Sequence, residues 1–166
     1  AKIFENNFAQ FLNTSPGTGD LLLLFAVAYT ISVVLFFVGA APDNVDDLPN
    51  LERLPGVCGV KIFMGSSTGS LLISDDATLE RILAAGTKRV AVHSEDEVRL
   101  KERWHLAQEG GTPHHHPVWR DEETALRATT RLLHLARNTG RHVHVLHVTS
   151  AQEMDLLRAH KDIATV

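Results

Sequence analysis

The sequence predicts an α/β protein with a parallel sheet covered by helices. Three observations predict it. Short, near-continuous apolar runs recur along the chain, as strands buried on both faces require. Between them stand amphipathic segments with helix-start residues at one end and glycine at the other. From residue 33 onward the two kinds of segment alternate, the order expected of β-α-β crossovers.

The first run, "VVLFFVGA", reads as a buried strand, followed by the polar turn "APDN" and a short helix in "DDLPNLERL". "GVCGVKIFM" is the second strand and ends in the loop "GSSTGS", whose glycines supply unusual dihedrals. "DDATLERILAAG" is a helix that starts at an aspartate and stops at Gly86, and "KRVAVH" is the third strand. "SEDEVRLKERWHLAQEGG" reads as one helix, with Ser94 and Glu97 in capping-box spacing and Gly110 and Gly111 at its end. "TPHHHPVW" reads as a solvated loop. It leads into the long helix "RDEETALRATTRLLHLARNTG", acidic at its start, basic towards its end and stopped by Gly140. "HVHVLHV" is the fourth strand, "SAQEMDLLRAH" a helix with Ser150 and Glu153 as its capping box, and "DIATV" begins a fifth strand. Residues 35–166 are therefore expected to form one α/β domain, and residues 1–34 a separate N-terminal segment of uncertain origin.

Composition narrows the function. The 166 residues are 44% hydrophobic and 22% charged with a net charge of −4, and no Lys/Arg cluster offers a surface for nucleic acid. Cys58 is the single cysteine; it excludes an internal disulfide, reads as a packing residue and fits the reducing conditions of the cytoplasm. Residues 21–42 carry no charge and are long enough to cross a bilayer. Their character shifts from helix-like to strand-like and no basic flank sets an orientation, so a buried core segment is expected rather than a membrane span.

Sites in parallel α/β folds form at the carboxyl ends of the strands. The third strand ends in His93, the fourth carries His147 near its end, and the second carries Lys61 close to its end. Strand alternation puts His142 and His144 on one face and His147 on the other, so the three cannot form one site. Each residue has a plain reading: a strand-end histidine bonds a neighbouring loop, and a lysine keeps its ammonium in water. Their coincidence at one edge suggests chemistry instead. Burial among Val60, Ile62 and Phe63 favours the neutral amine of Lys61, and a neutral amine adds carbon dioxide to become a carbamate able to bridge two metal ions. The run His114, His115 and His116 lies between Pro113 and Pro117, and three consecutive residues do not converge on one ion. His105, His134 and His160 are expected to face solvent from helices, and "SEDE" to serve as helix-start chemistry.

The segments "GVKIFMGSSTG", "VAVHSEDE" and "HVLHVTSAQE", in this order and spacing, resemble dihydroorotases, of the cyclic-amidohydrolase branch of the amidohydrolase superfamily. The resemblance runs over about residues 35–166 and includes "FFVGAAPDN" and "HHHPVWRDEETAL". It implies that residues 35–166 form a partial (β/α)8 TIM-type barrel of a metal-dependent hydrolase, with about half of the barrel present. It implies a carboxylated Lys61 bridging two zinc ions, with His93 and His147 on one of them, and so selects His147 from the three histidines of the fourth strand. It also implies interconversion of dihydroorotate and N-carbamoyl-L-aspartate in pyrimidine biosynthesis. The family's first-strand His-x-His pair has no counterpart here, since the first 40 residues contain no histidine. Its proton-carrying aspartate on the last strand is expected outside this chain, so no catalytic residue is assigned within it. The chain is accordingly expected to be an incomplete portion of the enzyme, inactive by itself. The protein partners the resemblance implies are a second copy of the chain or aspartate carbamoyltransferase. The alternative reading is a non-catalytic relative that serves as a structural partner of that transferase.

Overall fold

The computed structural model describes residues 35–66, 71–110 and 112–166. The N-terminal segment 1–34, most of the uncharged stretch 21–42 and the loop after Ser66 up to residue 70 lie outside the described residues. Phe36–Val166 forms one compact unit.

Five parallel strands stand in chain order: β1 (Phe36–Gly39), β2 (Val57–Phe63), β3 (Val90–His93), β4 (Val143–Val145) and β5 (Ala164–Thr165). Each falls inside the apolar run expected to hold it. Sequential order in a parallel sheet is the arrangement of a (β/α) barrel, and the chain forms part of one. The connections carry seven described α-helices: α1 (Leu48–Leu51), α2 (Asp76–Ala84), α3 (Glu97–Glu102), α4 (Trp104–Gly110), α5 (His116–Trp119), α6 (Glu122–Thr139) and α7 (Ala151–Arg158).

Register assigns the two sheet faces. Val60, Val90 and Val143 stand side by side across β2, β3 and β4, and Ile62, Val92 and Val145 share their parity. All six are at most 1% exposed. They belong to one core with Leu79, Ile82 and Leu83 of α2, Ala128, Leu132 and Ala136 of α6, and Leu157 of α7. Burying each large aliphatic side chain contributes about 1.5–3 kcal/mol, which makes this helix-facing layer the main source of stability.

Local signals explain most helix ends. Asp75 accepts the Thr78 amide at the start of α2 and Asp121 the Thr124 amide at the start of α6. Ser150 accepts the Glu153 amide as its capping box requires, and Gly140 closes α6 at φ 68°. Gly86 has a different role from a left-handed stop: a Cβ there would come within 2.5 Å of the Glu52 carboxylate. That carboxylate is 3% exposed, accepts the Thr87 and Lys88 amides at 2.8 and 3.2 Å, and pairs with the buried Arg141 guanidinium.

Two segments differ from expectation. "SEDEVRLKERWHLAQEGG" makes two helices, the first capped by Asp96 and not by Ser94; the Asp96 side chain accepts the Arg99 amide. The break follows from Trp119, whose Nε1 donates to the Leu100 carbonyl at 2.8 Å, an acceptor that an uninterrupted helix would offer to Trp104. "TPHHHPVW" is no open loop: Pro113–His115 forms a 3-10 turn that runs into α5, bringing Trp119 edge-on to Trp104 at 4.8 Å. Cys58 is exposed rather than packed. Among the described residues, no helix is long and apolar enough to cross a membrane.

Candidate functional site

β2 and β3 pair Lys61 with Ala91 and Phe63 with His93, and β3 and β4 pair Ala91 with His144. Residues two apart share a face, so Lys61, Phe63, Ala91, His93 and His144 line the face opposite the helix-packed valines. His93 is the last residue of β3 and stands at the carboxyl edge of the sheet.

His147 reaches the same place by an irregular route. β4 ends at Val145, so strand parity does not extend to His147. Its backbone turns into the left-handed region at φ 45°, at a cost of about 1–2 kcal/mol for a residue with a Cβ. The turn carries the imidazole onto His93: Nε2 of His147 is 2.8 Å from Nδ1 of His93, with ring centroids 4.9 Å apart. Alternation, which assigned His147 to the face away from His144, is overruled by this turn. His142 is exposed, and His144 bonds Thr165 Oγ1 through Nδ1 at 2.9 Å. Burial and the neighbouring His93 hold the His147 imidazole below its ordinary pKa, and the positive charge of Lys61 adds to the effect.

Lys61 is half-buried, its Nζ donating to the Ile62 carbonyl at 3.1 Å and standing 4.2 Å from the centre of the Phe63 ring. Burial lowers its pKa to about 8. Phe63 in turn lies 5.8 Å from the His93 ring, so lysine, aromatic ring and histidine pair are continuous along the edge.

Glu95 and Arg120, which had no place in the site expected from the sequence, complete it. Glu95 brings Oε2 to 2.8 Å from Nε2 of His93 and pairs through the same oxygen with Arg120. Burial pulls the Glu95 carboxyl upwards, but His93 and Arg120 outweigh it and hold the group below the usual carboxylate value. Beneath the pair, Ser94 bonds Thr129 at 2.9 Å, Thr129 donates to Glu153 at 2.8 Å, and Ser150 donates to the other Glu153 oxygen at 3.1 Å. All four of these residues are buried, and they tie the turns after β3 and β4 together through α6 and α7. The "SEDE" acids thus divide: Asp96 caps α3, Glu95 faces His93, and Glu97 accepts the Ser66 amide at 2.7 Å. The only signal for Glu95 was its place two residues after His93.

A cavity of about 330 Å³ opens beside the pair, lined by Glu95, Arg120, Leu146, His147 and Thr149 among others. His114 and His116 are exposed, and His115 bonds Thr112 Oγ1 at 3.0 Å. His105 and His134 face solvent as expected, whereas His160 is half-buried with Nδ1 2.8 Å from the Leu156 carbonyl.

Among the described residues, no group of three or more His, Cys, Asp or Glu converges as a metal cage. The donor set still suits a divalent cation: two imidazole nitrogens point at one another, and a lysine of lowered pKa lies on the same edge.

The fold and the edge define the class: part of a parallel (β/α) barrel carrying a histidine pair at the carboxyl ends of its strands. No family model matches the chain. The D-hydantoinase of Geobacillus stearothermophilus is 30% identical over 118 residues, which cover 68% of this chain and 25% of that protein. The dihydropyrimidinase structure from Brevibacillus agri superposes with a TM-score of 0.64 at 25% identity, over 78% of this chain and 30% of that one. The L-hydantoinase (dihydropyrimidinase) of Arthrobacter aurescens, at 21% identity, shares the fold with a TM-score of 0.69, over 78% of this chain and 31% of that one. The chain thus resembles D-hydantoinase and dihydropyrimidinase, cyclic amidohydrolases of the amidohydrolase superfamily, and spans about a quarter of the length of the curated relative it matches.

Proposed function

We propose that the chain carries part of the metal centre of a cyclic-amide hydrolase, with Nδ1 of His93 and Nε2 of His147 as ligands to one zinc ion and Lys61 as a carbamate between two. The observation that carries the reading is the convergence of the two ring nitrogens to 2.8 Å at the carboxyl edge of a parallel sheet. The likeness to D-hydantoinase supports the same chemistry.

Lys61 contributes through its neutral form. Its nitrogen lone pair bonds the carbon of carbon dioxide and the amine loses one proton, leaving a carbamate with two oxygen donors on a long arm. Half-burial, which lowers the lysine to about 8, makes that neutral form accessible near physiological pH. His147, held below its ordinary pKa, presents a neutral imidazole at neutral pH. When bound, a pair of divalent ions polarises the amide carbonyl and brings a water pKa towards neutrality. The cavity beside His147 gives a ring-sized substrate a place to stand, with Arg120 and Glu95 on its wall. Dihydroorotate is the substrate favoured by the segments around Lys61, His93 and His147; hydantoins and dihydropyrimidines, named by the similar proteins, are its competitors within the same reaction class.

The test is zinc content of the purified chain by elemental analysis, with His147→Ala and His142→Ala beside it. Zinc retained by His142→Ala and lost by His147→Ala is the expected result. A zinc-free wild-type chain, or equal losses in the two variants, would sink the reading. Ring opening followed in parallel on dihydroorotate, hydantoin and dihydrouracil, in a protein that completes the barrel around this chain, decides the substrate: preference for hydantoin or dihydrouracil excludes the dihydroorotase assignment.

A further inference from the structure

We infer that Glu95, anchored by Arg120, is a positioning residue that fixes the tautomer of His93, so that the lone pair of Nδ1 faces His147. The inference rests on the metal-centre reading above and gives Glu95 a role that reading does not assign.

The His93 ring presents two nitrogens to two different neighbours. Nδ1 faces His147 at 2.8 Å. Nε2 is buried, makes no hydrogen bond among the described residues, and has the Glu95 carboxylate 2.8 Å away, off the line of an ideal bond. A neutral imidazole carries one proton, and the nitrogen beside a carboxylate is the one that keeps it. With the proton on Nε2, Nδ1 is bare. In the metal-free chain it accepts a hydrogen bond from Nε2–H of His147, and it is the atom able to ligate. With the opposite tautomer the His93 proton would point at His147 and no lone pair of His93 would face the shared position.

The carboxylate is itself held from several elements. Arg120 pairs with the oxygen that faces His93, donates to the Ser66 carbonyl at 2.7 Å, and lies over the Trp119 ring at 4.4 Å. The side chains of His93, Glu95 and Arg120 are 13, 14 and 15% exposed, so the charges act with little screening by water. Carboxylates placed behind ligating histidines fix ring orientation and proton position in this way, and their loss weakens metal binding about 10- to 100-fold.

The experiment uses the 15N-labelled chain, free of metal, and long-range proton–nitrogen correlation spectra of His93, beside zinc titration with a chromogenic competitor. Wild type is expected to show the Nε2–H form. Glu95→Leu, which keeps bulk and removes the acceptor, is expected to lose that preference and to bind zinc about 10- to 100-fold more weakly. Glu95→Gln, which keeps a neutral acceptor, is expected to restore part of both. It also stands in if Glu95→Leu fails to fold, in which case a mixed tautomer with weakened zinc binding in Glu95→Gln supports the role. An Nδ1–H form in wild type, or unchanged spectra and unchanged zinc affinity in the variants, overturns the inference. A tautomer change without a change in zinc affinity overturns it as well. If wild type binds no zinc, the metal-centre reading fails separately, and the tautomer comparison still decides what Glu95 does.

Discussion

Lys61 and His147 show what position alone does to a side chain. The lysine faces the sheet surface opposite the helices, and half-burial lowers it from 10.5 to about 8. Below about 8 it is charged in folded and unfolded chains alike, and the cost of burying the ammonium is present in full. Between 8 and 10.5 the folded chain has released a proton that the unfolded chain retains, so stability rises with pH across that window. Lys61→Met is therefore expected to be more stable than wild type at pH 7 in carbon dioxide-free buffer, with the gap closing as pH approaches 10.5. Urea midpoints at a series of pH values measure this, and a gap that is constant with pH would refute the burial argument. For His147 the strain at φ 45° is spent on bringing Nε2 to His93. Nothing in "HVLHV" announces that turn, because the residue is not one that favours the left-handed region as glycine does.

At the scale of elements, helix starts depend on single carboxylates. Asp121 caps α6 through the Thr124 amide and forms a two-bond pair with Arg99, while Arg103 lies 3.3 Å away. The Arg99 bonds come first in depressing its pKa, with Thr124 adding to them. Its contribution is thus present above the ordinary aspartate value of 3.8 and is lost as pH falls through the depressed one. Asp121→Ala is expected to cost about 0.5–2 kcal/mol at pH 7 from the cap alone, and the difference should shrink on acidification below 3.8. Denaturant unfolding at pH 7 and pH 3 checks both the size and the sign. The starts at Asp75 and Ser150 were legible because a cap needs only residues close in sequence. Ser94 misled for the complementary reason: its hydroxyl is engaged by Thr129, 35 residues away, and the cap passes to Asp96.

Across the whole molecule, the end of the sheet opposite the candidate site is held by Glu52. Its carboxylate joins the chain after α1, the amides before β3 and the guanidinium before β4. Glu52 and Arg141 are 3 and 4% exposed, and Nε and Nη1 of Arg141 have no partner among the described residues. Removing the carboxylate leaves a buried cation, so Glu52→Ala is expected to lose about 3–5 kcal/mol, read as a fall in the urea midpoint. A loss below 1 kcal/mol would mean that water reaches the arginine.

The strands, the crossovers and the places of Lys61 and His93 near the ends of their strands follow from the sequence alone, because apolar runs and capped segments are local patterns that burial enforces residue by residue. Tertiary structure decided which atoms meet. The His93–His147 contact depends on one backbone turn, and the Glu95–Arg120 anchor on a residue 25 positions further along the chain, in the turn between α5 and α6. Contacts of that kind are set by where distant elements pack and not by their spacing along the chain.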